Sequence, residues 1–171
     1  LMNLKKRFEN KNLDESYFDK KVNQANEQLS FLSKTIDDFK EFYTISKEKE
    51  IFSVKDAILN ATTILSADLK SHNIDLETSF ETFDEVKIFG VKSELSQILI
   101  AIISNSIDVL KNIKNPEIQI DIFSSSAEVI IKLADNGGGI KAKNLKKIFE
   151  PYFSTKEEGT GIGLYLAKMI I

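Results

Sequence analysis

The placement of glycine and proline is the feature that most constrains this fold. Residues 1–89 contain neither type, and six of the seven glycines fall in two tight groups, at residues 137–139 and at residues 159, 161 and 163. Because Gly and Pro interrupt regular structure, this asymmetry predicts a helix-dominated first part and a second part that carries the loops and any functional site. We therefore expect two parts, residues 1–50 and residues 51–171.

The first part is predicted to be a helical arm. Apolar residues recur at alternating steps of four and three, a heptad pattern, at Phe18, Val22, Ala25, Leu29, Leu32, Ile36, Phe39 and Tyr43. Asn12 and Glu15 are predicted to cap the start of this long helix, and a similar upstream stripe at Leu1, Leu4 and Phe8 predicts a helical hairpin. A hairpin alone cannot cover so long a seam, so we expect a homodimer through residues 1–50 that forms a four-helix bundle. The alternative is that the helix packs on the second part.

The second part is predicted to be an α+β layer, with a mixed, largely antiparallel sheet and helices on one face. Ile51-Phe52 predicts a short strand, and Ser53 is expected to cap a helix with apolar positions at Val54, Ala57, Ile58, Ala61, Leu65 and Leu69. The pattern further predicts strands at 74–80 and 86–89 joined by a turn at Asp84-Glu85, a helix over 93–111, a hairpin of strands 117–123 and 128–134, a short helix over 144–149, and a last helix from about 161.

Composition excludes several classes of function. Lys and Arg total 23 against 26 Asp and Glu, and a net charge of −3 argues against a nucleic-acid partner. The longest apolar run, Ile98–Ile103, is far shorter than the ~20 residues of a membrane span, so we expect no membrane contact. The absence of Cys excludes disulfides and thiolate metal sites, and a single His, His72, excludes a multi-histidine metal site.

Two stretches place polar residues in or beside apolar segments, and these residues are candidates for binding a ligand. Asn105 lies on the apolar helix over 96–110, where an amide is unfavourable unless it is paired. It is either a structural Asn bonded to backbone or a neutral oxygen ligand for a hard cation such as Mg²⁺ or Ca²⁺, and Asp108 shares its helix face. The stretch 135–140 follows an apolar strand, and its Asp135 either starts an ordinary turn or accepts a hydrogen bond from a ligand that the glycines allow to approach closely.

Two further stretches lie nearer the end of the chain. The glycine-rich stretch 159–164 runs into a helix, whose free N–H groups and positive dipole end can cradle a phosphate. It lacks the preceding strand of a dinucleotide-binding motif and the Gly-Lys-Ser/Thr ending of a P-loop. In stretch 148–156 aromatic residues flank Pro151, which suggests either a lid hinge or a plug of the core, and Lys156 is either a phosphate contact or solvated.

The order of these four stretches resembles the catalytic, ATP-binding domain of bacterial sensor histidine kinases. Residues 97–110 match the N box of that family, 135–140 its first glycine box, 148–156 its F box, and 159–164 its second glycine box. The arm resembles the dimerisation and phosphotransfer domain, particularly at residues 32–39. The resemblance implies the ATP-binding α/β sandwich shared with type II topoisomerases, heat-shock chaperones and mismatch-repair ATPases.

The same resemblance implies ATP and Mg²⁺ as cofactors. Asn105 would ligate Mg²⁺, Asp135 would accept a hydrogen bond from the adenine amino group, and the glycine-rich stretch would offer backbone N–H groups to the phosphates. The full set of expected nucleotide-binding residues is Asn105, Asp108, Asp135, Gly137, Gly139, Ile140, Phe149, Phe153, Lys156, Gly159, Thr160, Gly161, Ile162, Gly163 and Leu164.

The chain departs from the family pattern in two places. The phosphoacceptor His of the family lies on the first helix of the arm, and the chain lacks it; we interpret His72 as a surface residue of a turn, so no catalytic residue is assigned. The family domain also continues with a strand hairpin after the last helix, whereas this chain stops at Ile171, so we expect an α/β sandwich truncated at its closing strands.

The implied function is autophosphorylation of a His, with ATP bound under a lid at 154–160, and relay of the phosphoryl group to the receiver domain of a response regulator. We expect a cytoplasmic domain of a parent protein that is free or anchored in the inner membrane. One alternative is an ATPase of the same fold, which commonly has a Glu as general base one turn before the Mg²⁺-binding Asn; Ala101 stands there and cannot take a proton. Another is a dimeric adaptor with a vestigial nucleotide site.

Overall fold

The computed structural model describes residue 8 and residues 14–43, 48–80, 86–156 and 159–171. In chain order, the elements are α1 (Glu15–Tyr43), β1 (Glu50–Ser53), α2 (Val54–Ile64), α3 (Ser66–Ser71), β2 (Asp75–Phe80), β3 (Lys87–Gly90), α4 (Lys92–Leu110), β4 (Glu117–Ser124), β5 (Val129–Asp135) and α5 (Gly163–Ile170). The predicted mixture of helices and strands is confirmed.

The strands form two small sheets. β1 pairs antiparallel with β3, from Glu50 opposite Gly90 to Ser53 opposite Lys87. In the second sheet, β4 lies between β2, which is parallel to it, and β5, which is antiparallel. The predicted return of strand 86–89 along strand 74–80 is therefore wrong, because alternation of apolar residues shows which face of a strand is buried and not which strand lies beside it. The turn predicted at Asp84-Glu85 lies outside the described residues.

The core lies between the second sheet and helices α2 and α4. On β4, Ile118, Ile120 and Ile122 are almost fully buried, in the alternation expected of a strand with one covered face. All six apolar positions predicted on the helix after Ser53 are buried. That helix is broken at Leu65, however, so the segment forms α2 and α3, and Ser53 occupies the N-cap position of α2 without a side-chain capping hydrogen bond.

The arm helix α1 begins later than predicted. Its N-cap is Asp14, whose Oδ1 accepts a hydrogen bond from the Tyr17 backbone N–H at 2.7 Å. The predicted pair of Asn12 and Glu15 is therefore wrong, because Glu15 is already the first residue of the helix; Asn12 itself and the upstream half of the predicted hairpin, apart from Phe8, lie outside the described residues.

The apolar seam of α1 is uncovered in the single chain. Its described members include four large side chains that are roughly half exposed or more, namely Phe18, Leu29, Leu32 and Ile36. Such a stripe along a helix of 29 residues is typical of a helix that packs against another helix. Dimerisation through this seam stays a prediction.

Helix α4 is the central helix of the second part. Among the described residues it is the one helix long and apolar enough to cross a membrane by length and composition. In this fold it packs against α2, α5 and β4, with buried residues Ser96, Ile98, Leu99, Ile103, Ser106, Ile107 and Leu110. Its apolar character is thus explained by its place in the core.

Candidate functional site

One face of α4, which we call the α4 stripe, carries three residues of the predicted N box. Ala101, Asn105 and Asp108 lie one turn apart and therefore share a face of the helix. A Cβ built on Gly163, at the start of α5, would lie 3.6 Å from the Cβ of Ala101. One turn further along, the Lys156 ammonium donates to Asn105 Oδ1 at 2.8 Å and to Asp108 Oδ2 at 2.7 Å. The structure thus brings three of the four predicted stretches onto one face of α4.

Asp108 is the electrostatic centre of this stripe. Its Oδ1 accepts a hydrogen bond from Lys111 Nζ at 2.7 Å, while Oδ2 pairs with Lys156. Partial burial raises the pKa of Asp108, but the hydrogen bonds and positive charges of the two lysines lower it by more, so the pKa lies below its usual value of 3.8. The Asp108 carboxylate in turn raises the pKa of Lys111. Asp108 is therefore an ionised group that already holds two cations.

Asp135 is fixed by two hydrogen bonds at the end of β5. Its Oδ2 accepts from the hydroxyl of Ser106 on α4 at 2.9 Å, and its Oδ1 accepts from the Gly137 backbone N–H at 2.9 Å. Ser106 is buried, whereas Asp135 is exposed. A carboxylate oxygen has two lone pairs, so this carboxylate is held in one orientation and can still accept a hydrogen bond from a ligand.

The loop after Asp135 is attached to both α4 and β4. A Cβ on Gly137 would lie 2.6 Å from Val109 Cγ2, so only glycine fits against the helix at this point. The Asn136 side chain accepts from the Glu117 backbone N–H at 3.0 Å and donates to the Asn115 carbonyl at 2.8 Å. The first glycine group is therefore a rigidly placed loop, and its close approach to α4 is the reason for its first glycine.

The short helix predicted over 144–149 is wrong. Residues 142–149 form consecutive turns, in which Asn144 N–H donates to the Lys141 carbonyl at 2.8 Å and Lys147 N–H donates to the Asn144 carbonyl at 2.7 Å. A helix this short gains few hydrogen bonds for the cost of nucleation. Pro151 also disfavours helical backbone at the residue before it. Local turns are the result.

The predicted lid is closed at its base by backbone contacts. Tyr152 N–H donates to the Gly161 carbonyl at 3.0 Å, and both residues have positive φ, 65° and 68°. A Cβ on Gly161 would lie 2.5 Å from the Tyr152 carbonyl carbon and 2.7 Å from backbone atoms of Phe153. Tyrosine rarely adopts positive φ, and such conformations concentrate at functional sites. Residues 157–158 of the lid lie outside the described residues.

The aromatic residues of the F box do not fill the core. Phe149 is 42% exposed, and the Lys168 ammonium of α5 lies 5.5 Å from its ring centroid. Phe153 is half-buried. Of the two interpretations that the sequence left open for these residues, a plug of the core does not fit Phe149, whereas an anchor beside the lid does.

Helix α5 starts beside Ala101 of α4 and has no side-chain cap. Its N-cap, Ile162, makes no side-chain capping hydrogen bond and is buried, as is Thr160. The first-turn N–H groups of a helix have no acceptor within the helix, and they lie at the positive end of the helix dipole. Gly159 differs, because its N–H donates to the Lys156 carbonyl at 3.4 Å. The start of α5 at Gly163 and Leu164 therefore suits an anionic ligand.

Not every predicted residue gains a contact here. Ile140 is exposed, and a Cβ on Gly139 would meet nothing within 4 Å, although its φ of 76° explains the glycine. His72 follows α3 in a turn, as predicted, where its Nδ1 lies 2.8 Å from Ser71 Oγ and 2.9 Å from the Asp68 carbonyl.

Sequence reasoning missed three residues that shape the site. All three, Ser106, Asn136 and Tyr152, lie within the singled-out stretches, and a hydroxyl on an apolar helix face is the signal that points to Ser106. Tyr152 gives no such signal, because a left-handed tyrosine is imposed by the surrounding chain.

Parts of this chain resemble known proteins in sequence. Residues 90–171 match the family model described as "Histidine kinase-, DNA gyrase B-, and HSP90-like ATPase". The chain is 31% identical over 118 residues to sporulation kinase C of Bacillus subtilis. The aligned residues make up 69% of this chain and 27% of that protein. Residues 90–171 therefore match the ATP-binding domain that sensor histidine kinases share.

Solved histidine kinases share the fold. The catalytic domain of the histidine kinase ThkA, in a nucleotide-free form, superimposes with a TM-score of 0.65 at 25% identity over 72% of this chain and 80% of that one. ThkA in complex with the response regulator protein TrrA matches with a TM-score of 0.60 at 20% identity, over 90% of this chain and 44% of that one. The chain spans about a quarter of the length of the curated sporulation kinases that it matches.

Proposed function

We propose that this chain is the catalytic, ATP-binding part of a sensor histidine kinase, which transfers the γ-phosphoryl group of ATP to a His of the protein. From there the group would pass to an Asp on the receiver domain of a response regulator. The observation that carries the proposal is the α4 stripe, where a pair of oxygens that holds a cation lies one helical turn from the uncapped start of α5.

The residues around the stripe fit a purine nucleotide with its metal ion. Asp135 would accept from the adenine amino group, Gly137, Gly139 and Ile140 would line the base, and the start of α5 would bind the phosphates. For Mg²⁺ the test is the donor set: Asn105 and Asp108 already hold the ammonium of Lys156 through oxygen atoms, and Mg²⁺ prefers oxygen ligands. When bound there, Mg²⁺ would neutralise charge on the phosphates.

The stripe favours transfer to a protein side chain over hydrolysis. Ala101 holds the position where an ATPase of this fold would need a general base, and its methyl group faces Gly163. Without a base to activate water, the phosphoryl acceptor must be supplied from elsewhere, which agrees with a His on an arm. The described complex of ThkA with a response regulator supports the next step of the relay.

Residues 1–50 would form the dimerisation arm and residues 51–171 the catalytic domain. The exposed apolar residues of α1 support a homodimer, because helices that present such a seam pack against partner helices. We place the domain in the cytoplasm, where ATP is available.

The test is calorimetric titration of the full chain with ADP and a non-hydrolysable ATP analogue, with and without Mg²⁺. Asp135→Asn is expected to weaken binding by about 10–100-fold, the usual contribution of a hydrogen bond to a charged group. Asn105→Ala is expected to remove only the Mg²⁺-dependent part. Asp75→Asn, an exposed Asp at the start of β2, is the matched control and should bind as the unmodified chain does.

Two outcomes would count against the proposal. Equal affinities of Asp135→Asn and Asp75→Asn would show that Asp135 does not bind the base. A folded chain without any nucleotide affinity would favour the alternative, a dimeric adaptor with a vestigial site.

A further inference from the structure

The ammonium of Lys156 occupies the place on α4 where a metal ion would bind. It lies 2.8 Å from Asn105 Oδ1 and 2.7 Å from Asp108 Oδ2, so two oxygens from different turns of the helix converge on one positive charge. These are the oxygens that the proposed function assigns to the cation of the nucleotide site. The protein thus supplies its own cation at this position.

Lys156 is presented by a formed turn. The Lys156 backbone N–H donates to Ser154 Oγ at 3.0 Å, and the same hydroxyl donates to the Lys156 carbonyl at 3.3 Å. The turn lies just after the backbone bond between Tyr152 and Gly161 that closes the lid at its base. The lysine side chain therefore connects the turn at 154–156 to α4.

Repulsion between positive charges makes binding of a metal ion and of the Lys156 ammonium at this position mutually exclusive. The Asp108 carboxylate pairs with Lys111 through one oxygen and with Lys156 through the other. A divalent cation added beside both lysines would place three positively charged groups within a few ångströms, and repulsion between like charges at that distance is large outside bulk water. Lys111 contacts Oδ1 of Asp108, whereas Lys156 contacts both Asp108 Oδ2 and Asn105 Oδ1, so Lys156 is the group that leaves when a cation binds these two oxygens.

We propose that the Lys156 ammonium competes with magnesium for Asn105 and Asp108: when nucleotide binds with Mg²⁺, the ammonium leaves these two oxygens and the turn at 154–156 is released from α4. This inference rests on the proposed function, because it concerns the same nucleotide site. Lys156 is a positioning residue in this scheme. It balances the charge of Asp108 before nucleotide binds, and it couples cation binding to release of the turn at 154–156.

The test compares the effect of Mg²⁺ on ADP affinity among lysine variants of the full chain. The quantity measured is the ratio of the ADP dissociation constant in EDTA to that in saturating Mg²⁺. Lys156→Met removes the competitor and is expected to raise this ratio by about fivefold, the scale of one partly exposed ion pair. Lys156→Arg keeps a cation and should restore the original ratio within about twofold.

Two control variants separate competition from a general charge effect. Lys146→Met removes an exposed lysine of the neighbouring turns and should leave the ratio unchanged. Lys111→Met removes the other partner of Asp108 but no contact with Asn105, so its effect on the ratio should be smaller than that of Lys156→Met.

Amide hydrogen exchange provides a second measurement, independent of affinity. Amides at 154–156 should exchange faster with ADP and Mg²⁺ than with ADP alone, and this difference should disappear in Lys156→Met. A ratio that is unchanged or lower in Lys156→Met would overturn the inference and leave Lys156 as a phosphate contact. Loss of all ADP binding by the unmodified chain would instead overturn the proposed function, and the inference with it.

Discussion

Replacing Gly161 by alanine tests whether the base of the lid is as tightly built as the structure indicates. Gly161 has a φ of 68°, and its carbonyl accepts the Tyr152 N–H at 3.0 Å. The added methyl group would lie 2.5 Å from the Tyr152 carbonyl carbon and 2.7 Å from backbone atoms of Phe153. These neighbours are backbone atoms, which cannot rotate away as a side chain can.

The magnitude follows from two contributions. Left-handed backbone costs alanine about 1–2 kcal/mol relative to glycine. Overpacking against atoms that cannot yield adds about 1–3 kcal/mol. Gly161→Ala should therefore lower the free energy of unfolding by about 2–5 kcal/mol, a large share of the ~5–15 kcal/mol that a domain typically has.

Gly139→Ala is the matched control for this prediction. Its φ is 76°, but a Cβ there would meet nothing within 4 Å, so it should show only the conformational contribution. Urea unfolding followed by circular dichroism gives both free energies, and amide exchange over 150–166 detects a lid that opens locally instead. If Gly161→Ala is no more destabilising than Gly139→Ala and leaves amide protection unchanged, the reasoning about backbone contact is refuted.

Three further predictions concern other parts of the molecule. Ser106→Ala removes the hydroxyl donor to Asp135, and we expect a loss of about 0.5–1.5 kcal/mol in urea unfolding together with weaker ADP binding. Because the pKa of Asp108 is lowered on folding, its ion pairs stabilise the protein above about pH 3.8, and this stabilisation is lost as the pH falls through the still lower folded pKa. In Asp108→Asn, the stability measured by thermal unfolding should therefore fall less steeply with decreasing pH in the acid range. Leu29→Glu places a charge in the exposed seam of α1 and should shift the chain toward monomer in sedimentation velocity, whereas Glu27→Gln on the same helix should not.

The sequence was sufficient for the elements that local pattern controls. The buried face of α2 and α3, the alternation of β4 and the length of α4 all follow from periodicity, and the structure has them within one or two residues of the prediction. The break at Leu65 was not predictable, because both halves of that segment bury the same stripe and no Gly or Pro marks the boundary. The pairing of β3 with β1 was missed because strand partners are chosen by the whole fold.

The residues of the candidate site also fall into those that the sequence indicates and those that it does not. Asn105, Asp135 and the glycines stand out in the sequence. The two polar residues are unfavourable in their apolar surroundings and the glycines allow unusual backbone conformations, so their presence indicates a functional or structural role. The partners that hold them do not stand out: Ser106 meets Asp135 across 29 positions of chain and Lys156 meets Asn105 across 51. Contacts of that range depend on how β5, α4 and the lid are assembled, which no local pattern records.

The parallel pairing of β2 with β4 has a consequence for how the domain is made during translation. Parallel strands need a crossover connection, and here the chain between β2 and β4 includes α4, the helix that carries Asn105 and Asp108. The central sheet cannot close until that helix has been placed, and contacts between distant segments form late. A nascent chain should therefore lack the pairing of β2 with β4 until β4, which ends at Ser124, has left the ribosome, and the contacts of Lys156 and Gly163 with α4 should form later still, once those residues have emerged.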